Sequence, residues 1–209
     1  MAHRYFAPLA TELASGAVVH TVHLADYGRT AQPFGIDDLA ETAWCALDRL
    51  GVERPVLVGH SMGTQVVVEM ARRRSGSVPG AVLLAPVANA AERSGWLQAV
   101  SLWTGSVAET PESNWIVISD SLRCGVPAMV RRLRALLAYP TEDRVATVNV
   151  PLVIMRGERD LVVPRRWAEE LSRRAPDGTL VEVLGEGHII MFRSPQAVAA
   201  QCRAVAKRG

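Results

Sequence analysis

The stretch Pro55-Val56-Leu57-Val58-Gly59-His60-Ser61-Met62-Gly63 decides how the rest of the chain is interpreted. Its apolar first half predicts a short buried strand, and residues 64–72 continue with an apolar stripe typical of a helix. A sharp turn therefore falls on Ser61. Such a turn crowds the backbone two positions either way, which favours glycine there, and it presents the serine oxygen at a helix N-terminus. The pentapeptide also occurs by chance in unrelated chains, so the strand and helix around it carry this interpretation.

The composition is that of one globular domain, with 209 residues of which 49% are hydrophobic and 21% charged. The net charge is +2 and basic residues are spread along helix faces, so neither nucleic acid nor an anionic membrane is indicated as a partner. No apolar run reaches the ~18 residues of a membrane span, and the N-terminus lacks the pattern of a secretion signal. We expect Cys45, Cys124 and Cys202 to be buried free thiols. These features predict a cytoplasmic protein.

Helix and strand alternate along most of the chain. The apolar and β-branched patterns predict strands at residues 17–24, 56–58, 81–85, 151–155 and 179–184. Helices are predicted between them, the last starting at Ser194-Pro195, where the serine is expected to act as the cap. This alternation predicts an α/β fold in a single domain over residues 1–209, with a mostly parallel sheet of about five strands and flanking helices.

Residues 88–149 interrupt this rhythm, because they carry helical patterns and no strand of comparable quality. An insertion at this point would sit above the carboxyl ends of the strands, where parallel sheets bind ligands. We therefore expect a small helical lid. Trp103 and Met129 in this segment, together with His60 in the turn, are candidates for contact with a substrate. Packing of the lid on the body is the alternative role for its tryptophans.

Polar residues follow two later strands, Asp160 after the strand at 151–155 and His188 after the strand at 179–184. Because the strands are parallel, both residues share one edge of the sheet with Ser61. A hydroxyl needs a base to become a nucleophile, a histidine such as His188 can act as that base, and a carboxylate can orient the imidazole. Alternatives remain, since Asp160 could pair with Arg156 or Arg159, His188 could cap a strand turn, and Glu158 is a rival acid.

The order Ser61, Asp160, His188 on an alternating frame resembles the α/β-hydrolase family in its serine-nucleophile, lid-bearing branch. The resemblance covers most of the chain. It implies hydrolysis through a covalent intermediate on Ser61, with the Met62 N–H in the oxyanion hole and with no metal or organic cofactor. The possible substrates are esters, thioesters, lactones, amides and diketone-like compounds cleaved at a carbon–carbon bond. Aromatic lid residues favour a small lipophilic substrate.

The N-terminus departs from this family. Relatives carry further strands upstream, the last ending in a His-Gly stretch that supplies the second oxyanion donor, whereas this chain opens at His3-Arg4-Tyr5-Phe6. The absent strand would lie between residues 17–24 and the strand before Ser61, and its unpaired neighbours would favour self-association. Either Met1 is an internal methionine and the strands are encoded upstream, or the chain is a short form. The short form would be a non-catalytic module that binds a small molecule or a protein.

Overall fold

A parallel sheet of four strands forms the centre of the protein in a computed structural model that describes residues 3–23, 35–87 and 134–208. The strands are β1 (Leu57–His60), β2 (Ala81–Leu84), β3 (Leu152–Gly157) and β4 (Gly178–Val183), and they lie side by side in that order. Because the strands are parallel and in register, their amino ends lie together at one end of the sheet and their carboxyl ends at the other. The predicted α/β fold and parallel sheet are confirmed, with four strands in the described residues rather than about five.

Helices alternate with these strands. After a 3-10 turn at His3–Phe6 come α1 (Ala7–Leu13), α2 (Ile36–Arg49) and α3 (Met62–Arg73). Later helices span Thr141–Val145, Arg165–Arg174, Ile190–Arg193 and Pro195–Ala206, and residues 134–138 are also helical. Ser194 and Pro195 begin the last helix as predicted, with Ser194 at the cap position, but the Ser194 hydroxyl makes no cap bond and donates to Glu186 at 2.8 Å. None of the helices within the described ranges combines the length and the apolar character needed to cross a membrane.

The side chains of the central strands alternate between two apolar layers, as the two-residue period of a strand requires. Leu83 and Ile154 belong to the layer that includes α2, α3 and the helix Arg165–Arg174. Leu84 and Met155 belong to the opposite layer, with α1 and the helix Pro195–Ala206. All four side chains are fully buried, so β2 and β3 are covered on both faces. Polar groups that act on a ligand are therefore expected at the strand ends.

The strand predicted at residues 17–24 does not form in the described part of this segment. Residues 18–23 have no regular secondary structure, and their side chains are exposed, Val18 to 84%. Both this segment and residues 54–58 line a groove of about 980 Å³. Among the described residues β1 pairs only with β2, so residues 18–23 have no neighbouring strand to satisfy their backbone N–H and C=O groups.

The predicted lid, residues 88–149, lies mostly outside the described residues, and its extent stays a prediction. Its last part, residues 134–149, contacts α3. The Gln65 amide donates to the Leu136 carbonyl at 2.9 Å, and the Tyr139 hydroxyl donates to Glu69 at 3.1 Å. Leu136 and Val145 are buried in the layer on that face. This end of the segment is therefore packed onto the helix that follows Ser61.

Two of the three cysteines lie in the described residues, and Cys124 lies outside them. Cys202 is buried, as predicted. Cys45 is exposed, contrary to the prediction. The buried stripe of α2 runs through Ala43, Trp44 and Leu47, and Cys45 falls beside that stripe.

Candidate active site

The turn between β1 and α3 places Ser61 in a strained backbone conformation. Its φ is 54° and its ψ is −124°, a region that residues with a Cβ rarely adopt and that costs about 1 to 3 kcal/mol. Both backbone polar groups of Ser61 are hydrogen-bonded. Its N–H donates to the Leu84 carbonyl at 2.9 Å, and its carbonyl accepts the Thr64 N–H at 3.0 Å. Met62 is the first residue of α3, so its N–H lies at the helix N-terminus, where developing negative charge is favoured.

The two glycines of the motif contribute differently to this turn. A Cβ on Gly59 would collide with the Gly63 carbonyl and would lie 2.8 Å from the Val67 side chain. A Cβ on Gly63 would meet nothing within 4 Å among the described residues. Gly59 therefore has no room for a side chain, as predicted, whereas Gly63 has room for one among the described residues, contrary to the prediction. The backbone carbonyl of Gly63 is what crowds Gly59.

Asp160 lies in the turn after β3, and its side chain is fully buried. One carboxylate oxygen, Oδ1, accepts the N–H groups of Val162 and Val163 at 2.8 and 3.0 Å. The other oxygen, Oδ2, lies 2.8 Å from Nδ1 of His188. Burial alone would raise the pKa of Asp160, but the neighbouring His188 and the two N–H groups hold it below its usual value. The carboxylate is therefore ionised, and its Oδ2 oxygen faces the imidazole of His188.

His188 lies in the loop after β4, and its ring is also close to β1. The rings of His60 and His188 are 4.8 Å apart between centroids, and Nε2 of His60 lies 3.1 Å from the His188 carbonyl oxygen. His188 therefore contacts the residue that directly precedes Ser61. The structure thus brings the three residues selected from the sequence to one end of the sheet, and it pairs His188 with Asp160.

The observed contacts distinguish Asp160 from Glu158 as the acid that orients His188. Glu158 does not contact His188, because its Oε2 accepts the Gly185 N–H at 2.8 Å and its side chain is exposed. The Arg156 side chain donates to the backbone carbonyl of Asp160 at 3.1 Å rather than to its carboxylate. The carboxylate oxygen Oδ2 bonds His188. These contacts favour Asp160 over Glu158 as the acid.

Arg156 supports the Asp160 turn in a way that the sequence analysis did not predict. Its guanidinium is buried and donates to the carbonyls of Glu158, Asp160 and Val163 at 3.2, 3.1 and 3.0 Å. It also forms an ion pair with Glu182 on β4. The sequence does contain a signal for this role, since Arg156 is the penultimate residue of an apolar strand. A buried arginine needs several hydrogen-bond acceptors nearby, and the following turn can supply them.

The remaining candidates divide between described and undescribed parts of the chain. His60 is buried against His188, and contact of His60 with a substrate stays a prediction. Trp103 and Met129 lie outside the described residues. Their proposed contact with a substrate also stays a prediction.

The fold and this arrangement agree with a comparison to protein families. A model described as the Alpha/beta hydrolase family matches residues 2–201. The chain therefore belongs to the α/β-hydrolase family.

Individual relatives are distant in sequence. The pimeloyl-(acyl-carrier protein) methyl ester esterase of Neisseria meningitidis serogroup A is 24% identical over 225 residues, covering 95% of this chain and 71% of that protein. The enol-lactonase from Burkholderia xenovorans LB400 covers 98% of this chain and 86% of its own, with a TM-score of 0.76 and 16% identity. A mutant of the meta-cleavage product hydrolase CumD covers 100% and 86%, also with a TM-score of 0.76 and 16% identity. At such identities the structural likeness shows the fold alone.

Proposed function

We propose that this protein is a serine hydrolase that cleaves an ester-like bond through an acyl-enzyme on Ser61. The observation that carries the proposal is the bond of 2.8 Å between the buried Asp160 carboxylate and the half-buried His188 ring, at the end of the sheet that also carries the strained serine turn. A buried carboxylate bonded to an imidazole costs free energy to maintain, and its placement at the same end of the sheet as a serine turn is the arrangement that nucleophilic catalysis requires. A non-catalytic binding module would have no need of this pair.

Each residue has a defined part in the proposed reaction. The Ser61 hydroxyl attacks the acyl carbon while Nε2 of His188 takes its proton, and Asp160 stabilises the resulting imidazolium. The Met62 N–H donates to the oxyanion. His188 then returns the proton to the leaving alcohol, which departs as the acyl-enzyme forms. Water, deprotonated by His188, releases the acid and restores the Ser61 hydroxyl.

The substrate class rests on the relatives and on the sequence. Their names describe a methyl ester esterase, an enol-lactonase and a meta-cleavage product hydrolase. An ester or lactone is therefore our first choice, with thioesters and carbon–carbon bonds of diketone-like compounds next. Trp103 and Met129 in the predicted lid favour a small lipophilic molecule.

A fluorophosphonate probe tests this function without knowledge of the substrate. The probe phosphonylates an activated serine, and mass spectrometry of peptides locates the adduct. We expect the adduct on Ser61, none on folded Ser61→Ala, and strongly reduced labelling of His188→Gln. Folded protein that is not labelled would refute the proposal and would support the binding module.

A further inference from the structure

We propose that His60 is a positioning residue that holds the His188 loop in place for proton transfer, an inference that rests on the function proposed above. The contact that points to it joins Nε2 of His60 to the backbone carbonyl of His188 at 3.1 Å. His60 ends β1 and His188 follows β4, so this bond joins the first and last strands of the four-stranded sheet. It ties the base directly to the element that carries Ser61.

The chemistry of the contact defines the tautomer of His60. A carbonyl oxygen can only accept a hydrogen bond, so Nε2 of His60 must carry the proton. The neutral ring then has Nδ1 as an acceptor. Because the side chain is buried, losing this bond would leave a donor without a partner in the described surroundings, which favours the observed loop position.

The charge of His60 is also suited to its position. Burial, and then the proximity of His188, lower the pKa of His60 to about 3, so the ring is neutral at physiological pH. During the proposed reaction His188 becomes a cation, with the Asp160 carboxylate on its far side. A neutral neighbour adds no repulsion to that cation, whereas a lysine or arginine here would oppose its formation.

The loop carrying His188 has other attachments, which act on different atoms. Glu158 accepts the Gly185 N–H at 2.8 Å, the Arg159 N–H donates to the Glu186 carbonyl at 2.8 Å, and the His188 ring is bonded to Asp160 at 2.8 Å. The bond from His60 acts on the backbone of His188 and links it to β1. Without this link the His188 backbone could shift relative to the element that carries Ser61, and displacement by about 1 Å can cost on the order of 100-fold in rate.

Two substitutions separate positioning from other roles. His60→Gln keeps an amide N–H that can reach the His188 carbonyl, whereas His60→Leu fills similar space without a donor. We expect His60→Leu to lower kcat by about 10- to 100-fold with KM changed by less than about 3-fold. His60→Gln should recover most of that loss. If the leucine variant does not fold, His60→Asn replaces it, because its shorter amide does not reach the carbonyl.

Proton NMR provides a readout that does not depend on turnover. The Nδ1–H of His188, bonded to Asp160, gives a resonance far downfield of the other protons. We expect this resonance in the parent chain, in Ser61→Ala and in His60→Gln, and we expect it to broaden or exchange faster in His60→Leu. A chain without hydrolase activity that still shows this dependence would refute the proposed function and support the His60 contact.

Three results would overturn the inference. The first is a leucine variant that keeps both the parent kcat and the parent resonance. The second is a variant in which only KM rises while the resonance is unchanged, since that pattern assigns His60 to substrate contact. The third is equal turnover of His60→Gln and His60→Asn, since only the glutamine amide is expected to reach the carbonyl.

Discussion

Nδ1 of His188 lies 2.8 Å from Oδ2 of Asp160, across the ends of the neighbouring strands β3 and β4. The two residues are 28 positions apart in the chain. Parallel pairing of Gly157 with Val183 brings the two following loops together. The bond leaves Nε2 as the nitrogen that can exchange a proton with Ser61.

Asp160→Asn should lower turnover by about four orders of magnitude. The amide can donate to Nδ1 and so favours the wrong imidazole tautomer, and it does not stabilise the imidazolium. Glu158→Gln is the matched control, because its side chain is exposed and bonds only the Gly185 N–H among the described contacts. Steady-state kinetics on an activated ester compares the two. An unaffected Asp160→Asn enzyme together with an inactive Glu158→Gln enzyme would reverse the assignment of the acid.

Ser61→Ala should abolish esterase turnover while changing the free energy of unfolding by less than about 0.5 kcal/mol. The stabilising contacts of Ser61 come from its backbone N–H and carbonyl, which alanine keeps. Urea unfolding and ester hydrolysis are measured on the same preparation. Full turnover by the folded variant would remove Ser61 from the reaction.

Gly59→Ala should destabilise the protein by about 1 to 3 kcal/mol, because its Cβ would press on the Gly63 carbonyl and force the turn to open. Gly63→Ala is the control within the same motif. It adds a methyl group in open space inside α3, where alanine is favoured over glycine by about 0.5 to 1 kcal/mol. Thermal unfolding of both variants decides the matter. A Gly63→Ala protein less stable than Gly59→Ala would contradict the observed packing.

Glu69→Gln should make the protein less stable at neutral pH and reduce its loss of stability in acid. Glu69 is fully buried and accepts bonds from Arg72, Arg73 and Tyr139. Burial opposes its ionisation, but these bonds lower its pKa from 4.5 to about 2. A pKa lowered by folding stabilises the native state above the unfolded value, and this contribution is lost as the pH falls from 4.5 towards about 2.

The difference between the parent and Glu69→Gln should therefore be on the order of 3 kcal/mol at pH 7 and should shrink below pH 4.5. Urea unfolding at several pH values measures it. Glu170→Gln, which removes an exposed partner of Arg173 and Arg174, should change stability little. A constant difference across the acid range would show that Glu69 does not supply the linkage.

Much of the fold was predictable because it is encoded locally. The buried strand, turn and helix around Ser61 follow from apolar periodicity, and the structure confirms β1 and α3 on either side of the turn. The parallel orientation of β1 to β4 follows from the alternation of strands and helices. The described residues 17–23 do not form the predicted strand, because strand formation needs a partner for the backbone and their own β-branched composition cannot supply one.

By itself the sequence determined β1 to β4, the position of Ser61 in its turn, and the polar residues that follow β3 and β4. Only the tertiary structure decided which of those residues meet. It paired His188 with Asp160 rather than Glu158, set Arg156 under the Asp160 turn, and brought His60 to the His188 carbonyl. The reason is physical: local periodicity depends on neighbours a few residues away, whereas these contacts depend on strand register and loop packing between distant segments.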